Sequence, residues 1–416
     1  MQVFKFGGAS VKDAQSIQNV TKVLEQVGFN QVVMVVSAMG KTTNALEEVV
    51  SLYQNKGDYE ARIHEIHQAH VNIIQELFES NHAIFSEVQE IIDELIYFLK
   101  HNKSTQYNFV YDQVVSIGEL ISTKIVSAYL NLKNLKNNWL DAREYIKTDS
   151  TNRDAGILWD KTITALQTLD KAQSYVIQGF IGADPNGFTT TLGREGSDYT
   201  ASIVAYSIEA QDVTIWKDVA GVLNADPRYF EKTVLLHEIS YTEAIELAYY
   251  GASVIHPKTL QPLQNKSIPL YVKSFVNPKE AGTSVRKGQP LNPLVPCYIV
   301  KKNQYLLKVS SLDFSFIIEK NISDIIKFVA DCGLKINLIQ NSAISFILCV
   351  DDKFQNISQL TSLLEPHFRV EVENNVTLYT IRHYIEEELQ KFTANYNVLL
   401  TQKIKETAQI VVTEEK

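Results

Sequence analysis

The stretch YVIQGFIGADPNGFTTTLGREGSDYTA, residues 175–201, contains the clearest succession of strand, loop and helix in this chain. Residues 175–181 form an apolar run that is typical of a buried strand. Residues 187–200, after it, are rich in glycine and hydroxyl groups, include Arg194 and Asp198, and lead directly into a helical run. Arginine is suited to bidentate recognition of a carboxylate, and a helix N-terminus favours anions. A glycine-rich surface turn would explain the same letters, so the rest of the chain must decide between the two interpretations.

The same succession recurs through the first half of the chain. Apolar strand patterns at 3–6, 32–37, 175–181 and 213–217 alternate with longer helical patterns such as 14–27 and 112–132. Such alternation predicts an α/β domain with an open, mainly parallel sheet between helices. Ligands of such sheets bind at the carboxyl ends of the strands.

Length, charge and cysteine content limit the class of protein. A chain of 416 residues exceeds the usual size of a single hydrophobic core, so at least two domains are expected. A formal net charge of -9 without a basic stripe favours a small-molecule partner over nucleic acid or an anionic membrane. No apolar run approaches the ~20 residues of a membrane span, and the start lacks the zones of a signal peptide, so a cytoplasmic protein is expected. The spacing of Cys297, Cys332 and Cys349 predicts reduced core residues.

Proline and glycine cluster between residues 277 and 296, which predicts a domain boundary. Beyond it the pattern predicts two small α+β units of similar order. Their elements are a strand at 306–312, a helix at 322–332, strands at 336–342 and 344–351, a helix at 357–364, a strand at 369–384, a helix at 386–392, and strands at 397–403 and 409–413.

Residues 59–101 form a nearly continuous helical pattern in which His64, His67 and His70 recur at steps of three. Helical geometry turns the first and third of these histidines well apart. We therefore interpret them as one face of a helix rather than as a metal site.

The motif KFGGAS, residues 5–10, lies where the first strand ends and the first helix begins. Gly7 and Gly8 let the backbone approach a phosphate closely, and the following helix N-terminus supplies free N–H groups and a favourable dipole. Lys5, on the strand, favours a phosphate site over a simple turn. Ser10 and Asp13 have the spacing of a capping pair.

The motif SAMGKTTN, residues 37–44, also follows an apolar strand and precedes a helix. Its Gly-Lys-Thr resembles part of a P-loop, but that motif needs another glycine five residues before Gly40, where Val35 stands. The P-loop interpretation is therefore rejected. The hydroxyl groups of Ser37 and Thr43 remain suited to a small polar ligand.

The motif KDVAGVLNADPR, residues 217–228, is a strand end followed by a loop dense in charge. Lys217 and Arg228 are candidates to meet nucleotide phosphates, and Asp218 and Asp226 to meet ribose or magnesium-bound water. Surface ion pairs would explain the same residues. In GASVIHPKT, residues 251–259, His256 is predicted to be structural because a helix precedes it and proline follows.

Together with SIGE, which ends at Glu119, these stretches resemble the aspartate kinases of the amino acid kinase superfamily in residue type, order and spacing over essentially the whole chain. The resemblance implies transfer of the γ-phosphoryl group of ATP to the side-chain carboxylate of L-aspartate, the first step of lysine, threonine and methionine biosynthesis. It implies an amino acid kinase catalytic domain at 1–285, a linker at 286–302, and a tandem ACT region at 303–416 for regulation and homodimerisation. The second ACT unit is expected to be truncated.

The resemblance also implies roles for individual residues. Lys5 would neutralise the transferring phosphoryl group, and Asp198 would organise that lysine and the reacting centre. Arg194 would grip the α-carboxylate of aspartate, and Glu119 would pair with its α-ammonium group. The other implied contacts are Ser37, Thr43 and Ser197 for the substrate, and Gly7, Gly8, Ser10, Lys217, Asp218, Asp226, Arg228, Ser253 and Lys258 for ATP.

This set of residues suits the implied chemistry. A substrate carboxylate with a pKa of about 3.9 is already ionised at neutral pH, so no general base is required. Catalysis must then come from positioning and from charge stabilisation by cations, backbone amides and the Mg²⁺ bound to ATP. No separate metal site is predicted.

Three positions depart from the family pattern. Ala9 stands in place of a threonine, and Ser253 in place of an ATP-contacting lysine. Asn337 stands where lysine-inhibited relatives have an acidic effector residue, and the neighbouring loop at 313–320 contains no glycine. An amide lacks the charge assistance of a carboxylate toward an ammonium group. We therefore predict that any amino acid effector binds weakly or with changed selectivity.

Two alternatives remain open. Other amino acid kinases act on acetylglutamate, glutamate or uridylate, and Glu119 argues against the first and last because it predicts a free ammonium group on the substrate. A non-catalytic amino acid sensor with a kinase-like fold is favoured by Ser253, whereas Lys5, Arg194 and Asp198 argue against it.

Overall fold

The computed structural model describes residues 1–252, 255–313 and 315–413. Its strands are β1 (Gln2–Phe6), β2 (Val32–Val36), β3 (Asn138–Leu140), β4 (Tyr175–Gln178), β5 (Ile181–Ala183), β6 (Thr189–Thr191), β7 (Val213–Lys217), β8 (Val222–Leu223), β9 (Leu235–Leu236), β10 (Glu238–Ser240), β11 (Leu270–Ser274), β12 (Thr283–Arg286), β13 (Cys297–Ser311), β14 (Lys335–Asn341), β15 (Ser345–Asp351), β16 (Phe368–Arg382), β17 (Asn397–Ile404) and β18 (Thr407–Thr413). Its helices are α1 (Ala14–Val27), α2 (Thr42–Gln54), α3 (Tyr59–Leu77), α4 (Ile84–His101), α5 (Tyr107–Leu132), α6 (Ala142–Tyr145), α7 (Trp159–Leu166), α8 (Gly196–Ile208), α9 (Tyr241–Tyr250), α10 (Pro257–Lys266), α11 (Glu319–Asp331), α12 (Ile357–Leu364) and α13 (Glu386–Thr393).

The chain forms two compact units. The first lies within Met1–Val222, Leu235–Ile245 and Val254–Asn292, and the second within Leu223–Val234, Glu246–Ser253 and the segment from Pro293 onward. The domain limits expected from the sequence, at 285 and 303, remain predictions.

An eight-stranded sheet, in the order β10-β12-β11-β7-β1-β2-β4-β3, is the centre of the first unit. Its neighbouring strands are parallel except for the pair β11 and β12. Every residue of β2, VVMVV, is buried, as a strand covered on both faces requires. The predicted α/β class with a mainly parallel sheet is therefore confirmed.

The strand order reverses at β1. The chain passes from β1 to β2 on one side, whereas β7, which comes much later, pairs with the other side of β1. Such a reversal opens a crevice at the carboxyl ends of the strands. The segments that leave β1, β2, β4 and β7 at this edge carry four of the motifs found in the sequence.

Helix α1 is capped by Asp13, whose carboxylate accepts a hydrogen bond from the backbone N–H of Ser16 at 2.7 Å. The predicted capping pair of Ser10 with Asp13 is therefore wrong. Ser10 lies instead in a 3-10 turn at Gly8–Val11, where its N–H donates to the carbonyl of Gly7 at 2.9 Å.

The helical pattern at 59–101 consists of two helices, α3 and α4. The break occurs because Phe78 is extended and the N–H of His82 closes a turn on the carbonyl of Glu79. His70 is buried, with Nδ1 2.7 Å from the carbonyl oxygen of Ile66. Within the described ranges no group of three or more His, Cys, Asp or Glu is placed to hold a metal ion.

The second unit contains a six-stranded sheet in the order β14-β15-β13-β16-β18-β17. The two central strands, β13 and β16, are 15 residues each and pair along their length, with register shifts near Gln304. Leu307 and Val309, in the C-terminal half of β13, share a core with α11 and α12. Tyr298 and Val300, in its N-terminal half, pack with α13 and β18. The two α+β repeats therefore share β13 and β16, and the first repeat is inserted within the second.

The cysteines behave as the sequence predicts. Cys297, Cys332 and Cys349 are all buried and belong to no disulfide in the described part of the chain. The described residues also include no helix that is both long and apolar enough to cross a membrane.

Candidate active site

A cavity of about 380 Å³ lies at the carboxyl ends of β1, β2 and β7. Its wall combines the segments that leave these strands with residues from the middle of α5 and the first turn of α8. The lining residues are Lys5, Gly8, Ser37, Ala38, Gly40, Thr43, Glu119, Phe180, Gly193, Glu195, Gly196, Ser197, Asp198 and Lys217. The fold therefore brings together candidate residues from motifs that are far apart in the sequence.

Lys5 and Asp198 form an ion pair in the wall of this cavity. Lys5 Nζ lies 2.6 Å from Asp198 Oδ1, and the side chains are only 12% and 4% exposed. Strand β1 supplies the lysine, and the first turn of α8 supplies the aspartate. A cation is thus held beside a helix N-terminus, which itself favours anions.

The loop after β1 packs tightly against the loop after β2. A Cβ atom on Gly8 would lie 2.7 Å from the carbonyl oxygen of Ala38, closer than a real Cβ approaches. The N–H of Gly40 donates to the carbonyl of Gly8 at 3.1 Å. Gly8 is therefore required for the approach of the two backbones. Ser10 Oγ is buried, with no hydrogen-bond partner among the described residues.

Glu119 lies in the middle of α5 and is 3% exposed. Its Oε1 accepts a long hydrogen bond, 3.4 Å, from the N–H of Ala38, and no partner for Oε2 exists within the described residues. Burial raises the pKa of Glu119 to about 8, and the bond from Ala38 lowers it only in part. A buried carboxyl group without a cation is suited to bind one.

Helix α8 begins from a turn with two left-handed residues, Gly193 at φ +77° and Glu195 at φ +52°. Both line the cavity, whereas the side chain of Arg194 between them is exposed and is not part of the lining. Glu195 was not assigned a role from the sequence, and its Oε2 is buried without a partner in the described part of the chain. Its left-handed backbone, a conformation that favours glycine, marks it in the structure, and no feature of the sequence indicated it.

The residues predicted to bind ATP are only partly brought together. Lys217 lines the cavity with Lys5 and Gly8, and Asp218 is exposed one residue beyond β7. Asp226 and Arg228 belong to the second unit and pair with each other at 2.5 Å, as the surface ion-pair interpretation expects.

Lys258 and Asn337 are not among the cavity-lining residues. Lys258 forms an ion pair with Asp154. Asn337, in the second unit, accepts a hydrogen bond from Lys301 Nζ at 2.8 Å and donates to Gln304 Oε1 at 2.6 Å. Ser253 lies outside the described residues.

Comparison with known proteins identifies the family. Residues 1–274 match the model of the amino acid kinase family. The lysine-sensitive aspartokinase 3 of Escherichia coli is 30% identical over 390 residues, which cover 91% of this chain and 86% of that protein. The chain belongs to the amino acid kinase family, among its aspartokinases. The chloroplastic aspartokinase 1 of Arabidopsis thaliana is 30% identical over 84% of this chain and 63% of that protein.

Solved aspartokinase structures share the fold. The E. coli aspartokinase III structure in complex with aspartate and ADP matches with a TM-score of 0.81 at 27% identity, covering 99% of this chain and 96% of that one. The same enzyme in complex with lysine and aspartate matches with a TM-score of 0.83. Some relatives are longer: the chain spans 42% of a bifunctional aspartokinase/homoserine dehydrogenase of A. thaliana.

The raised pKa of Glu119 should make the stability of this aspartokinase depend on pH. The native chain holds a proton that the unfolded chain releases between pH 4.5 and about 8, so the free energy of unfolding falls as pH rises through this window. Glu119→Gln removes the titrating group. We therefore expect the Tm of the variant minus that of the wild type to become more positive between about pH 5.5 and about pH 7.5. Calorimetry of both proteins at both pH values measures this difference, and a difference independent of pH would contradict the raised pKa.

Proposed function

We propose that the chain is an ATP-dependent aspartate kinase, which converts ATP and L-aspartate to ADP and 4-phospho-L-aspartate. The observation that carries this proposal is the cavity at the carboxyl end of β1, where Lys5 and Asp198 are paired beside the N-terminus of α8. Helix α5 supplies Glu119 to the same cavity, and the end of β7 supplies Lys217. Phosphoryl transfer to a carboxylate that is already ionised requires charge stabilisation but no general base. The lining residues supply such charges and include no histidine.

Aspartate recognition is proposed to depend on both of its charged ends. The partnerless Oε2 of Glu119 would accept a hydrogen bond from the α-ammonium group, and the approach of that cation would lower the pKa of the carboxyl group. Arg194 is proposed to bind the α-carboxylate, which requires its exposed side chain to turn toward the cavity. The hydroxyl groups of Ser37 and Thr43 would complete the pocket.

Phosphoryl transfer is proposed to centre on Lys5. Asp198 holds the ammonium group in place, so that its charge faces the oxygens of the transferring group without a change of rotamer. Lys217 and the backbone beside Gly8 are proposed to contact the nucleotide phosphates.

The donor set fits a Mg²⁺ ion that arrives on ATP. In kinases this ion keeps several waters and takes only one or two carboxylates beside the phosphate oxygens. Asp198 and Glu195 offer such carboxylates in the cavity wall, and Glu195 Oε2 is buried without a partner in the described residues. When bound, Mg²⁺ would neutralise negative charge on the phosphate oxygens.

The direct test traps the acyl phosphate product. Purified protein incubated with ATP, Mg²⁺, aspartate and hydroxylamine should give aspartyl hydroxamate. N-acetylaspartate is a matched control, because it lacks the ammonium group that Glu119 would bind, and it should give no product. Product from glutamate in preference to aspartate would indicate another amino acid kinase. A protein that binds ATP but gives no product with either would be a sensor.

Lys5→Ala should strongly reduce turnover while leaving aspartate binding almost unchanged, because the lysine charge is needed most as the phosphoryl group transfers. We expect kcat to fall by about a hundredfold or more, with a KM for aspartate close to that of the wild type. Lys22→Ala, which changes an exposed lysine on α1, is the control. Turnover near the wild-type value in Lys5→Ala would show that Lys5 is not at the reaction centre.

Arg194→Ala should weaken aspartate binding more than it reduces turnover. Loss of a charge-assisted, bidentate contact to the α-carboxylate is expected to raise the apparent KM for aspartate by at least about tenfold, with a smaller change in kcat. Steady-state kinetics at saturating ATP measure both constants. An unchanged KM would rule out the proposed role of Arg194.

The C-terminal region is proposed to serve mainly for homodimerisation, and we expect lysine to inhibit weakly. The amide oxygen of Asn337 already accepts a hydrogen bond from Lys301, and it lacks the charge that would favour a second ammonium group. Lysine and threonine, singly and together, should be titrated against activity at subsaturating aspartate. Strong inhibition by lysine alone would contradict the proposal, and inhibition by threonine alone would indicate an effector site of changed specificity.

A further inference from the structure

Asp112, in the second turn of α5, is a completely buried carboxylate that joins three segments of the first unit. Its Oδ1 accepts a hydrogen bond from Thr191 Oγ1 at 2.7 Å, and its Oδ2 accepts one from Asn152 Nδ2 at 2.9 Å. The backbone N–H of Arg153 donates to both oxygens, at 3.2 and 3.1 Å. Burial raises the pKa of Asp112 above its usual value, and the bonds from Thr191, Asn152 and Arg153 offset this rise only in part.

The segments that Asp112 holds lie directly behind the cavity wall. Thr191 is the last residue of β6, two positions before Gly193, which lines the cavity. The loop at 152–155 touches the same place, because a Cβ atom on Gly193 would lie 2.5 Å from Asp154 Oδ1. A displacement of either segment would therefore move the turn from which α8 begins.

The loop at 152–155 is held in an unfavourable conformation. Arg153 adopts φ +66°, in the left-handed region. Its guanidinium group lies 4.1 Å from the centre of the Tyr111 ring, and its Nη2 is 3.5 Å from Glu47 Oε1. Because left-handed backbone is costly for a residue other than glycine, the bonds from its N–H to Asp112 help to keep it there.

Helix α5 carries both Asp112 and the cavity-lining residue Glu119. Glu119 follows Asp112 by seven residues, a separation that brings two helical residues back to the same face within about 20° and places them about 10 Å apart along the axis. Ser116 and Thr123, on the same stripe, are also buried. One helix face therefore carries both the group that holds the Gly193 turn and the group that faces the cavity.

We propose that Asp112 is a positioning residue for aspartate recognition. Through Thr191 and the loop at 152–155, it sets the distance between Glu119 and the turn that carries Arg194. This inference rests on the proposed function, because those two side chains are proposed to bind the two ends of aspartate. Lys217, on the nucleotide side of the cavity, lies at the end of β7, whereas the hydrogen bonds of Asp112 named above go to β6 and to the loop at 152–155.

The test is the kinetic comparison of Asp112→Ala with Asp112→Asn. Alanine removes every acceptor, so we expect the apparent KM for aspartate to rise about tenfold while the KM for ATP changes by less than about twofold, each tenfold change corresponding to about 1.4 kcal/mol. Asparagine keeps an oxygen for Thr191 and Arg153, and Asn152 can turn its amide over to accept from the new Nδ2. Asp112→Asn should therefore retain a KM near that of the wild type.

Two further variants separate positioning from loss of structure. Thr191→Val removes a single hydroxyl group with little change of volume, and it should reproduce part of the rise in KM for aspartate even if Asp112→Ala does not fold. Asp149→Ala is the matched control, because Asp149 Oδ1 accepts hydrogen bonds from the N–H groups of Thr151 and Gly156 in a neighbouring part of the loop, and neither bond involves α5. It should leave the KM for aspartate unchanged.

The outcomes are distinct. A folded Asp112→Ala or Thr191→Val protein with the wild-type KM for aspartate would overturn the inference. So would an equal rise in Asp149→Ala, which would indicate general loosening of the loop. An equal rise in Asp112→Asn would also overturn it, because it would indicate that charge rather than hydrogen bonding matters. If the wild type itself forms no hydroxamate, the proposed function fails instead.

Discussion

The ion pair between Lys5 and Asp198 is the interaction on which the cavity depends. Removing two charges from water costs several kcal/mol for each ion, so a pair as buried as this one is weak evidence for stability. Its consequence is geometric, because it joins the end of β1 to the first turn of α8, which packs against that strand. The lysine charge and the helix N-terminus therefore face the same space.

Glycine makes this approach of α8 to the strand ends sterically allowed. A Cβ atom on Gly179, just after β4, would lie 2.5 Å from the Cβ of Ser197, and one on Gly196 would lie 2.6 Å from Cδ2 of Phe180. Both distances are shorter than real Cβ contacts. The glycines of this segment thus act by permitting close packing of helix against strand end, in addition to any contact with phosphate.

Helix α5 also holds the ends of β2 and β4 in place through buried hydrogen bonds. Ser122 Oγ donates to the carbonyl of Ser37 at 2.7 Å, and Thr123 Oγ1 accepts a bond from Gln178 Nε2 at 2.6 Å. Together with Asp112 and Glu119, these residues place buried polar groups on a helix whose other buried residues are mainly apolar. Buried polar groups are tolerated when each has a partner, and Glu119 Oε2 is the atom of this set without one among the described residues. Glu119 lines the cavity, where a bound ligand would supply that partner.

Local features of the sequence determined the fold class and the type and order of most elements. Several limits were wrong: the strand expected at 175–181 ends at Gln178, and the one expected at 306–312 is the end of β13, which begins at Cys297. The predicted helix at 14–27 and strand at 213–217 are confirmed to the residue, because periodicity and flanking breaks are properties of short segments. Lys5 was identified from its motif at a strand end, whereas Glu119 and the role of Asp198 were implied by the family resemblance, and all three line one cavity.

Only the tertiary structure decided what depends on distant partners. Sequence alone did not show that Glu119 is buried enough to raise its pKa to about 8, since burial is set by elements from other parts of the chain. It did not show that the two C-terminal repeats share β13 and β16, since strand pairing joins residues far apart in sequence. The sequence specified which groups the chain carries, and long-range packing decided which of them face one another and how far each is removed from water.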